Sequence, residues 1–158
     1  PDLRFEELRG NMATRLARSS SVDAVVVAAV ALERLGLADR LTDVLPVGLM
    51  VPQVGQGALA LECRSDDAAT RDLLAALEDP ADRRRVDAER AFLAELGGDC
   101  TLPAGAHALL GDDGALVLRA VLSDGAGRTE QHLSSGDDPD ALGREAARAL
   151  RDLLGLDA

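Results

Sequence analysis

The stretch that decides the fold is DPADRRRVDAERAFLAELGG, residues 79–98. It predicts a helix that begins at the Asp79-Pro80 pair, because aspartate caps free helix N–H groups and proline has no N–H to leave unpaired in the first turn. The paired glycines Gly97-Gly98 predict its end. Apolar side chains at helical spacing form the inward face of this helix, namely Val86, Phe92, Leu93 and Leu96. The stretch therefore predicts one long helix with a single buried side.

The residues after this helix predict a small antiparallel sheet and a second helix. Three short segments, residues 104–110, 115–122 and 128–133, are separated by turns rich in Gly and Asp, as in β-hairpins. The pair Asp138-Pro139 repeats the helix-start signal, and the helix that it opens runs through Leu154. Together these elements predict a small α+β domain with a three-stranded antiparallel sheet and two helices.

The residues before the deciding stretch follow a different pattern, in which strands and helices alternate. We predict strands at residues 3–8, 22–27 and 58–63. Helices are predicted at residues 12–17 behind the cap Asn11, then up to Gly36, and again at residues 66–77. This alternation favours a parallel sheet of the α/β type. The predicted fold class is therefore α/β plus α+β, in two successive parts.

The composition excludes several functions. The 158 residues carry 17 arginines, no lysine and 28 acids, for a net charge of −11. General nucleic-acid binding needs a basic surface, and Schiff-base chemistry and phosphate-binding P-loops need a lysine. No apolar run is long enough to span a membrane, and the two cysteines and two histidines lack the spacing of a metal site. The chain starts at Pro1 without a targeting leader, so we expect a cytoplasmic protein whose beginning is not included.

The charge is uneven, and it directs attention to the arginines near the start. Residues 1–40 hold six arginines and six acids, whereas the remaining residues hold 11 arginines and 22 acids. Arg9-Gly10-Asn11 lies where a predicted strand enters a helix, a place that favours an anion. With Arg15 and Arg34, these guanidinium groups suit a ligand with several carboxylates. The alternative is a set of solvated surface arginines without a ligand.

The cysteines and histidines have different surroundings. Cys100 follows Gly97-Gly98 in a predicted loop rich in glycine, so its thiol is expected to be accessible. It is either a nucleophile or attachment point, or a loop cysteine without a role. Cys63 lies in a predicted apolar strand, where a free thiol packs like a small hydrophobe. His107 and His132 fall in predicted strands and are interpreted as structural. Gly55-Gln56-Gly57 is interpreted as a turn or hinge, with only a weak phosphate signal.

Five groups of short motifs occur in the same order as in one known enzyme family. They are LRGN with TRL (residues 8–11 and 14–16), LERLGL (32–37), PQVGQGA with ECR (52–58 and 62–64), AERAFL (88–93) and GGDCTLPAG (97–105). Together they resemble the porphobilinogen deaminase, or hydroxymethylbilane synthase, family. The resemblance runs along the whole chain.

The resemblance implies a domain organisation. Members of the family have two α/β lobes that resemble periplasmic binding proteins and a third, α+β domain that carries the cofactor. By this resemblance, residues 1–52 are part of the central α/β lobe, and residues 53–77 form a crossover strand and helix toward a first lobe that this chain lacks. Residues 78–158 are the C-terminal α+β domain. The missing N-terminal lobe of the same protein is then the expected partner, with neither nucleic acid nor a membrane involved.

The resemblance also implies a chemistry. Cys100 matches the cysteine that forms a thioether to a dipyrromethane cofactor. On this primer the family, a group of transferases in porphyrin and haem biosynthesis, joins four porphobilinogen units into linear hydroxymethylbilane with release of ammonia. Arg9, Arg15 and Arg34 match arginines that contact the carboxylates of the cofactor, the substrate and the growing oligopyrrole.

The family's catalytic aspartate belongs to the missing lobe, and no residue of this chain matches it. We therefore expect the chain alone to have no turnover. Two further differences are Asp99 and Thr101, which stand where the family commonly has other residues. Two alternatives to the enzyme interpretation stay open. One is a non-catalytic module that binds anions, and the other is a structural or partner protein.

Overall fold

The structure is a computed structural model that describes residues 2–98 and 102–156. The contacts divide the chain into two compact units, Pro1–Pro46 and Val47–Ala158. In chain order the helices and strands are α1 (Met12–Ala17), α2 (Ala29–Arg34), α3 (Ala68–Ala75), α4 (Pro80–Glu95), β1 (Ala104–Leu110), β2 (Leu116–Ser123), β3 (Thr129–Gly136) and α5 (Pro139–Leu154). Two 3-10 turns lie at Arg18–Ser20 and Ala38–Arg40.

The first unit contains two short helices, both close to their predicted positions. Helix α1 begins behind Asn11, whose Oδ1 accepts a hydrogen bond from the Thr14 N–H at 2.9 Å, as an N-cap residue should. Helix α2 carries Leu32, which is 1% exposed and is the buried hydrophobic residue of this unit within the described residues. Gly36 follows it with φ of +69°, a left-handed conformation that suits glycine after a helix.

The three strands predicted before α4 are wrong. Residues 3–8, 22–27 and 58–63 have no regular secondary structure, and the parallel sheet predicted from them is absent from the described residues. Side chains such as Leu3, Val26 and Leu59 are largely exposed there. A strand is completed by hydrogen bonds to a neighbouring strand. An apolar, β-branched pattern indicates only that the side chains are suited to burial, and it does not show that such a neighbour is present. The described chain provides no such neighbour for these segments.

Helices α4 and α5 start as the two Asp-Pro pairs predict. The Asp79 Oδ1 accepts hydrogen bonds from the Ala81 and Asp82 N–H groups at 2.8 and 3.1 Å. Asp138 makes the equivalent pair of bonds to Asp140 and Ala141 at 2.9 and 3.1 Å. The backbone hydrogen bonds from Asp82 and then Ala81 lower the pKa of Asp79, because they stabilise its charged form.

The sheet is the predicted meander. Its strands lie in the order β1-β2-β3, and both neighbouring pairs are antiparallel. The first strand has the predicted bounds, the second is displaced by one residue, and the third runs on to Gly136. Together with α4 and α5, this sheet makes residues 80–154 an α+β fold.

The core lies between this sheet and the two long helices. Every second residue of β2 is buried, and these residues pack with Phe92 of α4 and Leu150 of α5. The helices approach closely at Gly143, where a Cβ atom would lie 2.3 Å from the Ala88 carbonyl oxygen. A contact this short leaves no room for a side chain, so glycine is required here by packing. The core fixes α4, which leads directly into the Gly97-Gly98 loop.

Candidate functional site

Arg9 and Arg15 have different contacts within the first unit. The Arg9 side chain is 86% exposed, and its Nη2 lies 2.9 Å from Oε2 of Glu7, which is also exposed. Arg15 donates from Nε to the Gly10 carbonyl oxygen at 2.9 Å. Gly10 itself has φ of +113°, which a larger residue rarely adopts. The Arg9 guanidinium is thus paired with an exposed carboxylate, and the Arg15 guanidinium is held by its Nε, which leaves its terminal N–H groups for a ligand.

At the predicted anion site at the start of α1, a residue of the chain itself already accepts the available hydrogen bonds. The Thr14 N–H already donates to Asn11, and the Thr14 hydroxyl donates to the same Oδ1 at 3.0 Å. Binding of an anion near Gly10 would therefore depend on the guanidinium groups of Arg9 and Arg15 more than on the helix.

Arg34 is the last residue of α2 and is exposed. Its guanidinium has no hydrogen bond or ion pair with any residue in the ranges 2–98 and 102–156. The structure places Arg34 in the same unit as Arg9 and Arg15, with no direct bond to either within those ranges. An unpaired guanidinium at the surface retains all its donors for a carboxylate.

The predicted attachment point, Cys100, lies outside the described residues, and so do Asp99 and Thr101. The described residues on either side define the ends of the loop. Gly97 has φ of +66° and closes α4, with its N–H bonded to the Ala94 carbonyl at 3.0 Å. A Cβ atom on Gly98 would lie 2.6 Å from Leu102 Cδ2. Glycine at 97 is therefore favoured by its left-handed backbone, and a side chain at 98 would require the Leu102 side chain to shift.

A cleft of about 320 Å³ lies beside the two ends of this loop. Leu96, Leu102 and Leu122 form its apolar part, and Arg151 contributes a guanidinium. The Arg151 Nη1 donates to the Glu95 carbonyl oxygen at 3.5 Å. The sequence analysis did not single out Arg151. An arginine in the last turn of a helix interacts favourably with the helix dipole, and this is a sufficient reason for its presence.

Glu89 is the functional candidate that the sequence analysis missed. Its side chain is 10% exposed, and its two carboxylate oxygens bind two separate parts of the chain. Oε2 accepts a hydrogen bond from the Gly55 N–H at 2.8 Å, and Oε1 accepts one from the Ala108 N–H at 2.9 Å. His107 Nδ1 lies 3.9 Å from Oε1. The available signal was an acid at helical spacing from Phe92 and Leu96, on the apolar face of α4.

The connecting segment 51–57 rests against β1. The Ala106 N–H donates to the Pro52 carbonyl oxygen at 3.0 Å, so this segment pairs with the outer edge of the sheet. A Cβ atom on Gly105 would lie 2.6 Å from the same oxygen. The Gln56 N–H bonds to the Gln53 carbonyl at 3.2 Å and closes a turn. Gly55-Gln56-Gly57 is therefore a turn, as the sequence predicts.

The other singled-out residues have modest surroundings. Cys63 is half-buried in a segment without regular structure, which corrects its predicted place in a strand. His132 is half-buried in β3. The described part of the chain holds no group of three His, Cys, Asp or Glu side chains arranged for a metal ion. Nor does any helix in it have the length and apolar character needed to cross a membrane.

Comparison with protein families gives two matches, which follow each other along the chain. Residues 1–72 match the model described as "Porphobilinogen deaminase, dipyromethane cofactor binding domain". Residues 83–152 match the model described as "Porphobilinogen deaminase, C-terminal domain". The second match includes most of α4, the whole sheet and most of α5.

Individual relatives give the same result. A porphobilinogen deaminase of Brevibacillus brevis is 40% identical over 153 residues, which cover 95% of this chain and 50% of the relative. One of Acidithiobacillus ferrooxidans is 46% identical with the same two coverages. One of Roseiflexus castenholzii is 44% identical over 159 residues, or 98% of this chain and 52% of the relative. The chain thus spans about half the length of the curated relatives it matches.

Proposed function

Because the chain belongs to the porphobilinogen deaminase family, we propose that it is the part of a hydroxymethylbilane synthase that carries the dipyrromethane cofactor. The complete enzyme would act as a transferase in tetrapyrrole biosynthesis, joining four porphobilinogen units into hydroxymethylbilane with release of ammonia. The covalent root of the cofactor would be the Cys100 sulfur. A place in the cytoplasm stays a prediction from the sequence.

The observation that carries this proposal is the pair of family matches, in the family's order, on either side of residues 73–82. The α+β fold of residues 80–154 supports it independently, since this fold was expected from the resemblance and from the residue pattern alike. The Gly97-Gly98 ending of α4 supports the position of the cofactor loop, because it brings the chain out of the helix immediately before Cys100.

The described arginines suit the cofactor's chemistry. Each pyrrole unit carries carboxylate side chains, and a guanidinium binds a carboxylate through two parallel N–H donors. Arg34 has no competing partner in the described ranges, and the exposed Glu7 pair of Arg9 is of the weak, solvated kind. Arg15 is oriented by Gly10. We assign Arg9, Arg15 and Arg34 to binding of the cofactor, the substrate and the growing oligopyrrole.

The proposal also explains the exposed apolar residues before α4. Residues 1–52 would be part of a central α/β lobe of the periplasmic-binding-protein type, and residues 53–77 would lead toward the missing first lobe. The segments 3–8, 22–27 and 58–63 would then become strands when that lobe supplies their neighbours. Phe5, at 89% exposed, is the side chain with the largest exposed fraction among these apolar residues. The remaining residues, 78–158, would be the cofactor-carrying domain.

The test is the mass of the intact chain after it is produced in a cell that also makes a complete enzyme of this family as a source of cofactor. We expect a fraction of the chain to gain the mass of two linked pyrrole units, with the modified peptide containing Cys100. Cys63→Ser is the matched control and should retain the modification, whereas Cys100→Ser should lose it. An unmodified Cys100 in the full-length parent would refute the proposal.

The alternative, a module that binds anions without chemistry, is separated by a second measurement. Porphobilinogen binding to the chain is compared for Cys100→Ser and for the double variant Arg9→Gln, Arg15→Gln. Binding that needs the arginines in a chain whose full-length parent never modifies Cys100 would favour the module. Under the enzyme interpretation, the arginine pair lowers substrate binding, and the parent still attaches a cofactor.

A further inference from the structure

Two N–H groups on the outer edge of β1 have different partners. In the register of the sheet, Ala106 and Ala108 face away from β2, so their N–H groups need acceptors elsewhere. Ala106 uses the Pro52 carbonyl, which belongs to the connecting segment. Ala108 uses Glu89 Oε1. One acceptor is a neighbouring backbone and the other is a buried carboxylate from α4.

The same carboxylate also holds the connecting segment. Glu89 Oε2 accepts the Gly55 N–H at 2.8 Å, 34 residues away in the chain. We propose that Glu89 is a positioning residue, which uses the two oxygens of one carboxylate to lock the 51–57 turn to α4 and β1. Loop, helix and strand then move as a single body. This inference rests on the proposed function only for its consequence in catalysis.

The chemistry of the contact requires a carboxylate. The Gly55 and Ala108 N–H groups each donate to one oxygen of Glu89, so both terminal atoms of this side chain must be acceptors. A glutamine amide has one oxygen and one NH₂ group, and the NH₂ would have to face the Gly55 N–H or the Ala108 N–H. One buried donor would thereby lose its partner. Aspartate keeps both acceptors but is one methylene shorter, so it would not reach both donors from α4.

The contacts of Glu89 and Pro52 determine whether the Gly55-Gln56-Gly57 turn can act as a hinge. Sequence alone allows Gly55 and Gly57 to be a hinge, but Glu89 and Pro52 fix this turn from both sides. The division between the two compact units falls at Pro46 and Val47. The 51–57 turn, which belongs to the second unit, then keeps its position against α4 and β1. In the complete enzyme, this would keep the start of the cofactor loop aligned while the oligopyrrole grows.

The first test is amide hydrogen exchange of Gly55 and Ala108, followed by NMR in the 158-residue chain. We expect both amides to be protected, and Glu89→Gln to speed up exchange of at least one of them by about 10-fold or more, because a hydrogen bond to a charged group is lost. Glu145→Gln, an exposed change on α5, is the control and should alter neither rate by more than about twofold. An unprotected Gly55 amide in the unsubstituted chain would overturn the proposal, even if Glu89→Gln fails to fold.

The second test separates positioning from mere stability, and it uses the full-length parent. Turnover is measured per molecule that carries the cofactor, so loss of folded protein does not enter. Glu89→Gln should lower kcat per loaded molecule by about 10-fold or more, with a much smaller change in KM, because misplacement acts on the reacting geometry. Turnover equal to that of Glu145→Gln would overturn the positioning role.

Failure of the two proposals is distinguishable. If the parent carries no adduct on Cys100, the proposed function fails, and the exchange rates of Gly55 and Ala108 still decide whether Glu89 locks the turn. If the adduct forms and the exchange rates do not respond to Glu89→Gln, the enzyme assignment stands and the lock is refuted.

Discussion

The two compact units differ in how their apolar side chains are used. Within residues 2–46, Leu32 is the buried hydrophobic residue, whereas residues 80–154 bury 15. The first unit also exposes Leu3, Phe5 and Val26 by more than half. Similar apolar patterns therefore have opposite outcomes, and the difference is the presence of a sheet with a helix layer over it. Burial depends on partners, which a local pattern does not contain.

The largest expected difference between the units concerns their buried side chains. Phe92→Ala should lower the free energy of unfolding of the C-terminal domain by about 3–5 kcal/mol, because it leaves a cavity in the centre of the core. Leu32→Ala should leave the same transition unchanged, since Leu32 belongs to the other unit. Urea denaturation followed by circular dichroism measures both. Equal losses for the two variants would mean that the units unfold together.

Close helix packing gives the next largest effect. Gly143→Ala should destabilise the domain by about 1–3 kcal/mol, because the new Cβ atom would collide with the Ala88 carbonyl and with the Phe92 amide. Gly57→Ala is the control, since its Cβ atom would meet nothing within 4 Å. The midpoint of thermal unfolding compares the two. A stable Gly143→Ala variant would show that α4 and α5 are able to separate without loss.

Acid should weaken the packed domain through its ion pairs. Hydrogen bonds from Arg148 and then Arg144 lower the pKa of Glu95, and the Arg128 hydrogen bond lowers that of Asp124. Because these folded-state pKa values lie below the unfolded ones, the stabilisation is full above the ordinary values of 4.5 and 3.8 and is lost as the pH falls through the lowered values. Urea midpoints between pH 7 and pH 3 should fall accordingly.

Glu95→Gln tests the origin of this acid sensitivity. It removes one titrating group, so the loss of stability between pH 5 and pH 3 should be smaller than in the unsubstituted chain. Asp23→Asn, an exposed change in the other unit, serves as the comparison and should leave the profile of the C-terminal domain unchanged. Superimposable profiles for Glu95→Gln and the unsubstituted chain would remove Glu95 as a source.

The smallest effect is expected at an exposed apolar residue of the first unit. Phe5→Ser should change the free energy of unfolding by no more than about 0.5 kcal/mol, because the Phe5 ring is largely exposed to solvent. It should nevertheless reduce binding of a dye that reports exposed apolar surface. A loss of more than about 1 kcal/mol would contradict the exposed position of Phe5.

The elements that the sequence predicts well are those with local causes. Asn11, Asp79 and Asp138 each bond to N–H groups two or three residues ahead, so their helices are visible in a short window. The segment 104–110, which precedes a turn rich in Gly and Asp, predicted β1 with both of its ends. The strands that were predicted wrongly, by contrast, need partner strands, and the residues next to them in the sequence do not indicate whether such partners are present.

The candidate site divides in the same way. Arg9, Arg15, Arg34 and Cys100 stay predictions, which come from the residues around them and from the motifs that carry the family resemblance. The double role of Glu89 was not, since its two donors lie 34 and 19 residues away. An acid on an apolar helix face signals that some partner exists, but only the fold identifies Gly55 and Ala108.

The asymmetry of the sheet limits how copies of the domain can associate. On β1, the outward N–H groups of Ala106 and Ala108 are already occupied, whereas no backbone partner lies along the far side of β3 within the described residues. Edge-to-edge growth into a fibre requires two free edges on each copy. Because two outer N–H groups of β1 are already bonded, a second copy would pair more readily along β3, and pairing of β3 with β3 joins two copies only.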